Sequence, residues 1–415
     1  MEKYKLEQIT ERIYDGKHGD CDTEIGSGLY FISVKDLMEY DINYKNAREI
    51  TKGDFIENYK RTCLENGDTI YANTGDTIGK SIFVKENSMV KKTSFQKSVA
   101  VIKPNRTFVD DRYLYYLLKH LTPALRKAAT GSAQKNLLLS TLRDFKVTIH
   151  KKCEQTKISN MLGVIDDKIR NNMFINLELE KMSKTMYDYW FSQYEFPNDD
   201  GKPYKSSGGK MVWNDELKKD IPESWTSKQI NEIVDMVSGY SFSTNDYNND
   251  GKYKLYTIKN VQDGIIVSKV DNKLKDIPLN MSNECILKPS DILMSLTGNV
   301  GRVGLVYENN VLLNQRLLKL VPKYNDISYI YLLFRDNFMR VKLEQISTGT
   351  SQKNLSPIDM GNLKIAYPDK SVLEKFTELN NNIIFKIVDN FKENQELTKL
   401  RDYLLPLLMN GQVGF

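Results

Sequence analysis

Gly75-Asp76-Thr77-Ile78-Gly79-Lys80-Ser81 is the stretch of this 415-residue chain that comes nearest to a catalytic signature. It falls one residue short of a phosphate-binding loop, whose full G-x4-G-K-[ST] spacing lets backbone amides wrap the phosphates. Thr74 stands where the first glycine is required. A related stretch, Gly298-Asn299-Val300-Gly301-Arg302-Val303, has neither the Lys nor the Ser. Tight turns between strands account better for these glycines, and a nucleotide hydrolase centred on Lys80 is the weakest reading. A base methyltransferase would need an Asn/Asp-Pro-Pro motif, and the chain has no Pro-Pro dipeptide. The nucleophile elbow G-x-S-x-G is also missing. His18, His120 and His150 do not cluster, and Cys21, Cys63, Cys153 and Cys285 form no C-x-x-C pair. Reduced structural thiols are expected, with no metal site. No positive sign of catalysis remains.

Other residues suit nucleic acid. Gln and Asn can make bidentate contacts to adenine, Arg and Lys to guanine, while Lys, Ser, Thr and backbone amides suit phosphates. The candidate residues lie in loops in two places, most of them at matched positions. In the first half of the chain they are Lys17, His18, Lys35, Thr74, Lys80, Gln96, Lys97, Gln134, Lys135 and Asn136. In the second they are Tyr240, Ser241, Lys259, Asn260, Thr297, Asn299, Arg302, Gln315, Arg316, Gln352, Lys353 and Asn354. For Asn136 and Asn354 the residue chemistry favours a turn held by side-chain-to-backbone hydrogen bonds. Positions shared by two copies suit scaffolding, because two identical readers would recognise a palindrome. Base readout is therefore expected where the copies differ: Lys17-His18 against Tyr240-Ser241, and the stretches 38–66 and 262–289.

The elements that position these loops form a long-period repeat, which decides architecture before any local motif. Gly131-Ser132-Ala133-Gln134-Lys135-Asn136-Leu137 recurs 218 positions later as Gly349-Thr350-Ser351-Gln352-Lys353-Asn354-Leu355. Phe31-Ile32-Ser33-Val34-Lys35 matches Leu255-Tyr256-Thr257-Ile258-Lys259, and Gln96-Lys97 matches Gln315-Arg316. The length calls for two or three domains. Residues 1–152 and 226–370 read as α+β domains built of short alternating strands. Each precedes a long helix, at 153–192 and 371–410. Ile158, Leu162, Ile165 and Ile169 form a stripe on the first; Phe376, Ile383, Ile387 and Leu404 form one on the second. A helix of such length, roughly 50–60 Å, needs a long partner. Antiparallel coiled-coil pairing of the two is expected, relating the domains by an approximate two-fold axis. Residues 193–225, with clustered Pro, Gly, Ser and Asp, read as the connecting linker. The net charge of +5 permits nucleic acid without demanding it. No apolar run is long enough to span a bilayer, and there is no signal-peptide core; no membrane contact and a cytoplasmic location are expected.

Tyr189-Trp190-Phe191-Ser192-Gln193-Tyr194-Glu195-Phe196-Pro197, then Ser206-Ser207-Gly208-Gly209-Lys210-Met211, then Ile221-Pro222-Glu223-Ser224-Trp225, resembles the central conserved region of the specificity (S) subunits of type I restriction–modification systems. The doubled glycine-loop and Gln-Lys-Asn-Leu elements are similar to those of the family's target-recognition domains. The resemblance covers essentially the full length. It implies a non-catalytic subunit that reads one half of a bipartite, asymmetric site in double-stranded DNA with each domain. The helices would set the unread spacer and dock two methylase (M) subunits. Those would carry S-adenosylmethionine and methylate adenine at N6, and two restriction (R) subunits using ATP and Mg can join them; this chain itself would bind no cofactor. Two alternatives stay open: a specificity subunit of a methylation complex without R subunits, and a coiled-coil adaptor that does not touch DNA. The copies diverge after the shared motif, Leu138-Leu139-Ser140 against Ser356-Pro357-Ile358.

Overall fold

The computed structural model describes residues 1–131, 135–264, 266–267, 270, 272–349 and 353–413. The chain forms two compact units, one of residues 1–170 with 396–415, the other of 171–395. Each is described by itself.

In the first unit a four-stranded antiparallel sheet runs in the order Thr10–Asp15, Val99–Pro104, Thr69–Ala72, Ser81–Phe83. All four residues of Thr69–Ala72 are buried, and alternate side chains pass to opposite faces. Tyr71 and Ile102 join Tyr113, Leu114 and Leu118 of the helix Asp111–Ala128. Their neighbours Ile70 and Val101 turn to the other face, against Ile32 and Phe95. Those two belong to a small sheet of Arg48–Glu49, Tyr30–Ile32 and Thr93–Phe95. Glu2–Lys5 pairs with Lys146–Ile149.

The second unit repeats this plan. Its sheet runs Val234–Ser238, Leu317–Pro322, Ile292–Ser295, Val303–Leu305, and Thr226–Gln229 pairs with Lys364–Tyr367. One difference is local. The single helix Asp111–Ala128 corresponds to two shorter ones, Ile327–Arg335 and Asn337–Ile346. Asp336 breaks the run because its side chain accepts from the amides of Phe338 and Met339, capping a new helix.

Two long helices, Lys152–Tyr187 and Lys370–Met409, each contribute to both units. The unit boundaries fall inside them, rather than at residues 152 and 371 as the sequence division expects. The reason lies in where the apolar stripes go. Ile158 and Leu162 are built into the first core with Leu6, Ile9, Tyr113 and Leu408, and Leu404 packs at its edge. Phe376 and Ile387 are built into the second with Tyr187, Trp190, Phe191 and Tyr329, and Ile383 packs against it. Ile165 and Ile169 are buried too. Within each unit the helices run antiparallel: Asp166 meets Arg401 in the first, while Asn172, Asn176 and Ser183 meet Asn394, Asn390 and Asn380 in the second. An apolar seam is the expectation; these turns carry buried amides instead.

Residues 193–225 are packed rather than a loose tether. Phe196 stacks on both Tyr204 and Trp225, and Met211–Asn214 pairs with Lys219–Pro222. Trp190, Phe191, Tyr194, Phe196 and Trp225 continue the second core. Among the described residues no helix is long and apolar enough to cross a membrane.

Candidate DNA-recognition surface

At one end of the first sheet, four loops are fastened to each other through their backbones. Gly16 crosses so close to Phe95 that a Cβ there would lie 1.8 Å from the Phe95 carbonyl oxygen. The Lys17 amide donates to the Phe95 carbonyl at 2.9 Å, and the Lys97 amide to the Lys17 carbonyl at 3.1 Å. Asn73 ties in the next loop, its backbone amide donating to Ser98 and its Nδ2 to the Lys97 carbonyl. The Leu137 amide then donates to the Asn73 carbonyl (2.8 Å), and the Gly75 amide to the Lys135 carbonyl (2.7 Å). Asn136 and Thr130 exchange a pair of backbone bonds at 2.7 and 3.0 Å.

The second unit builds the same platform. A Cβ on Gly239 would lie 2.1 Å from the Asn314 carbonyl oxygen. The Tyr240 amide donates to Leu313, the Gln315 amide to Tyr240, and the Leu296 amide to Arg316. Leu355 donates to Leu296, Gly298 to Lys353, and Asn354 exchanges two bonds with Thr348. Main chain thus brings these loops together, with one correction to the expected match of Gln96-Lys97 with Gln315-Arg316: the bonds place Lys97 opposite Gln315, and Gln96 opposite Asn314. The side chains Lys97, Lys135 and Asn136 in one unit, and Gln315, Arg316, Lys353 and Asn354 in the other, stand exposed. For Asn136 and Asn354, the turn is held by backbone rather than by the side-chain bonds expected. Gln134 and Gln352 lie outside the described residues.

Other candidates have structural work. Lys17 is ion-paired with Asp54 (2.8 Å) and Glu57 (3.3 Å), and the Asp54 carboxylate holds its ammonium more firmly protonated than usual. His18 Nε2 lies 2.9 Å from Asp15. Asn260 is buried; its side-chain oxygen accepts from the backbone amide and hydroxyl of Thr257, closing a turn. Asp36 does the same for Ser33 in the first unit. Lys35 and Lys259 are exposed on these two turns, and Ser241 and Asn299 are exposed loop residues. Thr74 and Thr297 are half-buried platform residues. Arg302 donates to Gln262 at 2.9 Å. Around half-buried Lys80, the Arg126 guanidinium takes the carbonyls of Ile78 (2.7 Å) and Asp76 (3.4 Å). That loop presents carbonyls to a cation, whereas a phosphate cradle presents amides.

Sequence reasoning missed the two crossing glycines, although Gly16 and Gly239 occupy one position of the repeat and were legible as such. It also missed Asn73, which has no counterpart, since Leu296 fills the second copy's position. All four cysteines are unpaired, and no group of three metal-ligating side chains occurs among the described residues.

The duplicated platform corresponds to a duplicated family signature. The model of the type I restriction modification DNA specificity domain matches residues 23–181 and again residues 222–403. This chain belongs to that family, a family of specificity subunits that are not themselves catalytic. It is 28% identical over 401 residues to the MjaIX specificity subunit of Methanocaldococcus jannaschii, covering 94% of this chain and 87% of the relative. The HindI specificity subunit of Haemophilus influenzae is 22% identical over 457 residues, covering 92% and 98%. The crystal structure of the S subunit of a type I restriction-modification system from M. genitalium shares the fold, with TM-score 0.58 and 16% identity over 98% of this chain and 95% of that one.

Proposed function

We propose that this chain is the DNA-reading subunit of a type I restriction–modification complex, recognising a bipartite, asymmetric site with one half read by each unit. The observation that carries this is the platform built twice from matched backbone bonds, with unmatched loops beside it. Lys97, Lys135, Arg316 and Lys353 suit phosphates and register. Base discrimination falls to loops that differ between copies, among them Tyr240-Ser241 against Lys17-His18, and to sequence-dependent DNA shape.

In this reading the chemistry belongs to partners. Two M subunits dock on the long helices, bind S-adenosylmethionine, and flip and methylate one adenine per half-site. R subunits, which consume ATP with Mg, join the same assembly. The four exposed platform cations offer few phosphate contacts, so the isolated chain should bind DNA weakly, with a salt sensitivity no greater than those few contacts give. The helices act as the spacer ruler, with half-sites centred about one turn of B-DNA, roughly 34 Å, apart. An adaptor that never touches DNA would give no role to exposed Lys97, Lys135 and Arg316.

The ruler is tested by inserting one helical turn, about four residues, into both long helices. A longer methylated spacer in cells carrying the cognate methylase supports it; an unchanged spacer in a folded variant refutes it.

A further inference from the structure

A short hairpin sits at the same place in each copy of the repeat, bridged Leu37 to Ile42 in the first and Val261 to Ile266 in the second. Each is bound to the central helix through a guanidinium and a helix carboxylate. In the first unit Arg401, from the C-terminal helix, donates to Asp166 of the central helix at 3.0 Å and to the hydroxyl of Tyr40 in the hairpin. Tyr40 itself donates to Asp166 at 3.2 Å, and Tyr116 donates to the other carboxylate oxygen at 2.7 Å. The Arg401 and Asp166 side chains are only 7% and 5% exposed.

The second unit makes the same attachment with different residues. Arg335 donates to the Tyr331 hydroxyl at 2.6 Å and reaches Glu180 of the central helix at 3.4 Å. Tyr331 donates to the Gly264 carbonyl of the hairpin at 3.4 Å, and Asp263 beside it pairs with Arg340 at 3.0 Å. Gly264 has φ +81°, and a Cβ there would sit 2.6 Å from the Arg335 guanidinium and 3.1 Å from the Glu180 carboxylate. A side chain there would strain the left-handed backbone and push the Arg335 guanidinium aside.

The straps add directional bonds to an attachment that is otherwise mixed. Apolar contacts such as Ile158 and Leu162 with Leu6 and Ile9 are joined by other polar ties, Arg112 to Asp167 at 2.8 Å in the first unit and the Ser328 amide to the Asn381 side chain at 3.0 Å in the second. Apolar burial is strong but non-directional, and tolerates small rotations. Charge-assisted bonds are strict in direction; the Arg401–Asp166 pair is buried, where an ion pair can contribute conformational specificity more than net stability, and the Arg335–Glu180 pair is 23% exposed on each side. Two units that solve one attachment with different residues and elements point to the attachment itself as what matters.

We propose that Arg401 with Tyr40 and Asp166, and Arg335 with Tyr331 and Glu180, are positioning groups that fix the seat of each reading domain on the helices and thereby set how strictly one half-site spacing is enforced. This rests on the bipartite reading above. It adds that spacer length and spacer tolerance have separate determinants: helix length sets the first, and the straps set the second.

The test uses the full chain with its cognate methylase in cells, and plasmids carrying both half-sites with the natural spacer or one base pair more or fewer. Tyr40→Phe and Tyr331→Phe remove one hydroxyl each while keeping the ring, and Arg401→Met and Arg335→Met remove the guanidinium while keeping its packing volume. Adenine methylation is mapped by long-read sequencing. Methylation at the altered spacers rising about tenfold or more over wild type, the scale of one lost charge-assisted hydrogen bond, with unchanged bases in both half-sites, supports the proposal. Variants that fold and still accept a single spacer overturn it, as do variants that relax the bases instead. The Tyr→Phe pair decides the matter should the Arg→Met proteins fail to fold. If helix insertion shifts the spacer but strap variants do not broaden it, the strap inference fails alone. If insertion leaves the spacer unchanged, the ruler reading fails first.

Discussion

The Nδ2 of Asn390 donates to the side-chain oxygen of Asn176 at 2.7 Å, with both residues buried between the two long helices. Asn176 in turn donates to the Ile387 carbonyl at 3.2 Å. Asn172 with Asn394 (2.9 Å) and Ser183 with Asn380 (2.7 Å) extend the ladder along the same seam. A buried amide is tolerated only where its donors and acceptors are met, so each rung selects its own partner across the helices. Such rungs specify register at some expense of stability.

That asymmetry predicts a non-additive result. Asn176→Leu or Asn390→Leu alone strands the opposing amide and should cost about 1–3 kcal/mol. The double Leu variant removes both polar groups and should regain most of the loss. Equilibrium denaturation of the four proteins checks this; two additive losses would contradict it.

The crossing glycines make a sharper claim about the platform. Gly16→Ala or Gly239→Ala places a carbon about 2 Å from a backbone carbonyl oxygen, which cannot be relieved by a rotamer change. Each should destabilise its unit severely, by roughly 3 kcal/mol or more on the scale of the larger point-mutant effects. Gly53→Ala is the control. Gly53 lies in the helix Lys52–Thr62 with open space around it, so alanine there should be neutral or stabilise by up to about 1 kcal/mol. Thermal melts distinguish the three.

Asp326 predicts a pH dependence. Burial pushes its carboxyl up from 3.8 to about 6, with the Tyr367 hydroxyl 3.5 Å away as a weak counterweight. Because the folded protein holds this proton more tightly than the unfolded chain, the stabilising contribution is complete below about 4. It is lost as pH rises through about 6. Asp326→Asn should therefore raise stability at pH 7–8, by on the order of 2–3 kcal/mol, and flatten the wild-type decline between about pH 4 and 6. An Asn variant with an unchanged pH profile would contradict the assignment.

How much of this was legible follows from what each feature depends on. The repeat, the long helices and the glycine and Gln-Lys-Asn-Leu loops are local patterns, and the structure joins those loops by backbone bonds in both units. The amide ladder was not legible, because Asn172, Asn176, Asn380 and Asn390 read as solvent-facing positions between apolar ones. Only the partner across the seam explains their burial. The Tyr40–Arg401 contact joins residues 361 positions apart, and nothing in either neighbourhood announces it. The break at Asp336 rests on a single capping side chain, which overrides a helical pattern. Asn260 was offered as a DNA contact on residue type alone, and its place in the turn with Thr257 shows the limit of that argument.

Long-read mapping of modified adenines in cells with and without this gene reads the recognised site itself. The expected result is one bipartite motif of two unlike half-sites around a fixed spacer, methylated on an adenine in each half, that disappears on deletion. An identical set of methylated motifs in the two strains, with the protein and its methylase present in the first, would contradict it.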